Sequence, residues 1–122
     1  MATGFRSALF PLGLEAGPAA PGAPGSLTAT ASPGQVVLTW TAASANPSAP
    51  VTAYTVYRGT TSGGETLLTT LGVVLTYTDT AVTGGATYYY KVSATNLVGE
   101  GALSSEASAA VPLLAMAGGG GG

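Results

Sequence analysis

The sequence predicts an all-β chain folded as a seven-stranded β-sandwich, and three observations carry that expectation. Apolar residues recur with period two through most of the central region. The runs are short, rich in Val, Thr and Tyr, and separated by Gly, Pro, Ser and Asn turn signals. Between them lies no convincing amphipathic helix.

Composition divides the chain into zones. Residues 1–17 are an apolar head, and 18–25 (PAAPGAPG) have the makeup of an extended, semi-rigid linker. Residues 26–112 hold the sandwich; 113–122 are an apolar stub, beginning Leu113-Leu114, that runs into five glycines. Within the sandwich, Leu27–Ala31 alternates and stops at the Ser32-Pro33-Gly34 turn. Gln35–Thr41 places Val36, Leu38 and Trp40 on one face. After a polar, proline-bearing loop, Val51–Arg58 turns Tyr54 and Val56 inward and Tyr57 outward. Thr61-Ser62-Gly63-Gly64 closes a turn before Glu65–Thr70, and Leu75–Asp79 follows with Tyr77 inward. Thr87–Asn96 aligns Tyr88, Tyr90, Val92 and Ala94 inward and Tyr89 outward, and Leu103–Val111 supplies the last strand. The expected core is therefore built on Trp40, Tyr54, Val56, Tyr88, Tyr90 and Val92.

Bulk composition narrows function. A chain of 122 residues suits one domain. It contains no Cys and no His, which removes disulfides, thiolate metal sites, the usual zinc ligand and the usual general base. Three basic residues (Arg6, Arg58, Lys91) stand against five acidic ones (Glu15, Glu65, Asp79, Glu100, Glu106). So thin a cationic complement argues against nucleic-acid binding. Only 7% of residues are charged and the mean hydropathy is +0.41, against about 25% charged in ordinary soluble domains. Such a surface associates readily and suits a protein held at high local concentration in an assembly; the alternative is that exposed Thr and Ser keep it dispersed. No run approaches the roughly 18 apolar residues of a membrane span. The opening MATGFRSALFPLGLEAG is interrupted by Pro11 and Gly13 and closed by Glu15, so no export signal is expected.

Several residues together resemble the fibronectin type III family. They are Trp40 on the second strand, Tyr54-Thr55-Val56 on the third, and Val82-Thr83-Gly84-Gly85-Ala86-Thr87-Tyr88 before the sixth. Val92-Ser93-Ala94-Thr95-Asn96 followed by Gly99-Glu100-Gly101 completes the set. The resemblance covers about residues 22–112 and implies an immunoglobulin-like sandwich, with Tyr88 as a corner tyrosine whose hydroxyl returns to upstream backbone. Leu97-Val98-Gly99-Glu100-Gly101 contains no Arg-Gly-Asp, so the resemblance brings no integrin-type adhesion.

No catalytic constellation, cofactor site or metal site is expected. The hydroxyls have no His to activate them, Lys91 lies mid-strand among tyrosines, and the glycines at 63 and 64 lead into Glu65 rather than a phosphate-binding Gly-Lys-Ser. Glu65 and Asp79 read as solvated edge charges. Tyr57 and Tyr89 face outward on neighbouring strands and could stack on a sugar ring, although cross-strand packing is the simpler account. Trp40 reads as core.

The head carries Phe5, Leu9, Phe10, Leu12 and Leu14 outside the sandwich, with Arg6 among them, either paired to a partner carboxylate or solvated. It either folds back on its own domain or, projected by the linker, docks on another chain together with Leu113 and Leu114. Burying five such side chains gains roughly 8–15 kcal/mol. Ordering some ten residues costs roughly 10–20 kcal/mol. Docking therefore needs strand pairing or many copies acting together. The Gly4-Phe5-Arg6-Ser7 opening with its apolar continuation resembles the starts of small bacteriophage virion-associated proteins. That resemblance implies a capsid decoration or head-associated protein, made in the host cytoplasm and contacting virion structural proteins in many copies. A tail or neck component, or a carbohydrate-binding or spacer module of an extracellular bacterial protein meeting surface glycans, are the alternatives.

Overall fold

The computed structural model describes residues 19–46 and 48–113, which form two antiparallel sheets packed face to face. Among the described residues there are seven strands: β1 Gly25–Ser32, β2 Gln35–Thr41, β3 Ala53–Gly59, β4 Thr66–Leu71, β5 Thr76–Asp79, β6 Thr87–Thr95 and β7 Ala107–Ala110. One sheet has the order β1-β2-β5 and the other β4-β3-β6-β7. Val36, Leu38 and Trp40 from the first sheet meet Tyr54, Val56, Tyr88, Tyr90, Val92 and Ala94 from the second, as the alternation requires. Trp40 and Tyr54 rings lie 5.7 Å apart at 50°. The Tyr54 hydroxyl accepts from the Ala43 amide at 3.1 Å, which ties the loop after β2 to the core. The corner tyrosine forms as expected: the Thr83 amide donates to the Tyr88 hydroxyl at 2.9 Å.

Three expectations are corrected. The last strand is shorter than Leu103–Val111, because the Ser104 side chain takes a backbone role. The Ser104 amide donates to the Val92 carbonyl at 2.8 Å, while the Val92 amide is taken by the Ser104 hydroxyl at 2.9 Å. Regular pairing resumes only at Ala107.

The described part of the supposed spacer is not free. Pro21 and Pro24 are buried, the Gly22 amide donates to the Ser44 carbonyl at 2.9 Å, and Asn96 Nδ2 donates to the Ala19 carbonyl at 2.7 Å. Proline-rich chain lacks donors, so it lies as a strap wherever side chains and backbone of the domain can supply them.

Asp79 and Glu65 are not solvated charges. Asp79 is 1% exposed and accepts from Arg58 Nη1 at 2.9 Å, Tyr90 Oη at 2.8 Å and the Ala81 amide at 3.1 Å. This cluster joins β5 of one sheet to β3 and β6 of the other. The Glu65 side chain is covered because the loop that carries it folds back on the sheet.

Candidate functional site

Strand directions place the features of interest. Gly25 pairs with Thr41, Thr76 with Thr39, Leu71 with Tyr54 and Thr95 with Ala53. Residues 19–24, the loops 42–52 and 72–75, and residues 96–103 therefore gather at one end of the sandwich. That end is apolar: Val73 is 62% exposed and Leu97 74%, with Val74, Leu75, Val98 and Leu103 also exposed. Within 19–24, 42–46, 48–52, 72–75 and 96–103 the one charged residue is Glu100. Its carboxylate accepts hydrogen bonds from the Ser93 and Tyr57 hydroxyls. Those two hydroxyls hold it below the usual carboxylate range, burial opposing them. Sequence reasoning missed this rim, although a signal existed: Val73-Val74-Leu75 after Gly72 breaks the alternation in a segment too short for a strand.

Of the residues expected to dock, Phe5, Arg6, Leu9, Phe10, Leu12, Leu14 and Leu114 lie outside the described residues. Leu113 is described and exposed, at the opposite end, with its Cδ2 about 3.1 Å from where a Cβ on Gly85 would stand. The segment 1–18 joins the domain at Ala19, on the apolar end, beside Asn96 and hence beside Leu97 and Val98.

The outward tyrosines share a face. Tyr57 pairs with Lys91, and Tyr89, two residues back on β6, pairs with Gly59 and Ser108. Both are partly buried. Tyr57 donates to Glu100, and that bond, ahead of burial, raises its pKa. On the same face Ser62 Oγ and the Gly63 amide donate to Glu106 at 2.7 and 2.9 Å, and Lys91 Nζ lies 4.0 Å from Glu65 Oε1. Among the described residues no pocket forms and no group of three metal-ligating side chains assembles. No helix among them is long and apolar enough to cross a membrane.

The comparisons agree with this geometry. An Fn3-like protein from Clostridium thermocellum is 38% identical over 77% of this chain and 96% of its own, with a TM-score of 0.66. The chain belongs to the fibronectin type III-like family. A crystal structure of titin domains aligns with TM-score 0.70 at 21% identity, over 78% of this chain and 33% of that one. A β-1,2-glucanase from Parabacteroides distasonis aligns at 0.66 and 22%, over 78% of this chain but only 13% of the glucanase. The fold thus stands as nearly a whole chain in the first case and as one part of a longer chain in the others. No family model and no curated protein matches the sequence.

Proposed function

We propose that this chain is a non-enzymatic structural module of a bacteriophage particle, most specifically a capsid decoration or head-associated protein anchored through its N-terminal segment. The observation that carries the reading is the coincidence at one end of the sandwich: residue 19 enters beside an exposed apolar rim that is almost free of charge. Desolvating such an end costs little, so it suits contact with an equally uncharged protein surface. The low charge of the whole chain and the resemblance of its opening to virion-associated proteins support the same reading.

Binding to particles lacking the protein tests it, comparing the full chain with one starting at Pro18 and with full-length Leu97→Asp/Val98→Asp. The expected result is loss of occupancy on truncation and partial loss in the loop variant. If none of the three binds, the virion reading fails.

A second reading has its own observation. A domain of this fold aligns within a glucanase, and Tyr57 and Tyr89 share an outward face, which suits a spacer or carbohydrate-binding module. Glycan binding that disappears in Tyr57→Ala and Tyr89→Ala would favour it.

A further inference from the structure

The β3–β4 loop, residues 60–65, folds back over the outward face of the four-stranded sheet. The Gly64 carbonyl stands 2.6 Å from where a Cβ on Gly59 would be, and Gly59 pairs with Tyr89. The loop is fastened on its far side by Glu106, just before β7, which accepts from Ser62 Oγ at 2.7 Å and the Gly63 amide at 2.9 Å. A second carboxyl group, that of Glu65 at the loop's end, lies within hydrogen-bonding reach of Glu106. The Glu65 side chain is only 3% exposed, and its Oε2 meets no donor among the described residues.

Two facing carboxylates repel, and a buried acceptor without a donor is costly. One proton cures both faults: Glu65 then donates from Oε2, and Glu106 remains the anion that accepts every bond offered to it. We infer that Glu65 and Glu106 share a single proton and form an acid-closed clasp that fastens the β3–β4 loop against the outward face beside Tyr89.

The charged groups acting on Glu65 are Glu106 from the segment before β7 and Lys91 from β6; its own backbone adds a hydrogen bond. Burial first, then the bond to Glu106, pushes the Glu65 carboxyl up, while Lys91 opposes. The bonds from Glu65, Ser62 and Gly63 hold Glu106 down to about 2. A raised carboxyl stabilises at low pH and loses its contribution as pH rises through its folded value. A depressed one loses its contribution as pH falls through its folded value. The clasp is therefore closed in mild acid, between the two steps of the pair, and loosens toward neutrality.

Carboxyl-carbon NMR titration of the full chain, with thermal midpoints for wild type and Glu65→Gln, tests this. The amide introduced by Glu65→Gln offers Glu106 a donor that never titrates. Wild type is expected to show two steps, one on each side of the ordinary carboxylate range, with the Gly63 amide shift following the upper one. In Glu65→Gln that shift becomes flat from mild acid to neutrality, and the closed population at neutral pH rises roughly tenfold, the weight of one hydrogen bond to a charged group. Glu106→Gln is expected to lower the Glu65 step by removing its anionic acceptor. Both carboxyls titrating independently at ordinary values, or a Glu65 step unmoved in Glu106→Gln, overturns the inference.

Discussion

Asp79 illustrates how one side chain can join two sheets. It sits at the end of β5, fully enclosed, and its oxygens are filled by Arg58, Tyr90 and the Ala81 amide. The guanidinium also lies 5.2 Å from the Tyr88 ring centroid and donates to the Ala81 carbonyl at 2.9 Å. Burial, with the bond to Asp79, pushes the Tyr90 hydroxyl well above its usual range, so it stays a donor. The two ends of the ion pair are unequal, 24% exposed for Arg58 and 1% for Asp79. Arg58→Met strands a buried carboxylate and is expected to cost about 3–5 kcal/mol in urea unfolding. Asp79→Asn leaves a cation that can turn toward water and keeps an acceptor for Tyr90, so about 2 kcal/mol or less is expected. Equal losses would mean the asymmetry in burial does not matter.

At the scale of elements, the strap at 19–24 and the loop at 96–106 hold one another. Gly101 faces the strap so closely that a Cβ there would stand 1.9 Å from the Pro21 carbonyl oxygen. Glycine is needed for that approach, not for the turn. Gly101→Ala should lift the strap, cost about 1–3 kcal/mol by overpacking, and expose the Asn96 side chain. Protection of the Ser104 and Asn96 amides against hydrogen exchange would report whether the loop loosens with it. Next to the strap, Ser26 holds a positive φ of 51° where β1 shifts register against β2. Left-handed backbone of this kind strains a residue with a Cβ. Ser26→Gly is therefore expected to be neutral or stabilising, by up to about 1 kcal/mol in thermal unfolding.

Across the described residues of the whole molecule, charge is kept away from the apolar end. Arg58 and Asp79, with Glu65, Lys91 and Glu106, lie away from the rim, leaving Glu100 as the anion of the apolar end. Glu100 and Glu106 both sit below their ordinary values through accepted hydrogen bonds. Their contribution is fully present above the ordinary carboxylate range and lost as pH falls below it through their folded values. Glu65 acts with the opposite sign. The thermal midpoint is thus expected to peak in mild acid and decline toward strong acid. Glu100→Gln should flatten the acid limb by removing the anion that Tyr57 and Ser93 serve.

Strand existence and facing were legible in the sequence because they rest on local rules. Alternation decided that Val36, Leu38, Trp40, Tyr54, Val56, Tyr88, Tyr90 and Val92 point inward, and Pro, Gly and Ser punctuation decided where strands stop. The corner tyrosine was legible through the family resemblance of residues 82–88, and its contact is local, Thr83 lying five residues before Tyr88. The partnerships of Asp79, Glu65 and Glu100 were not. Each depends on groups brought together from distant parts of the chain by the packing of two sheets, and no periodicity records that encounter. The docked strap was hidden for the same reason, because Pro/Gly composition describes a stiff segment without saying what lies beside it. Local chemistry thus determined the sandwich; only the tertiary structure decided which charges are buried together, and that the N-terminal entry and the apolar rim share one end.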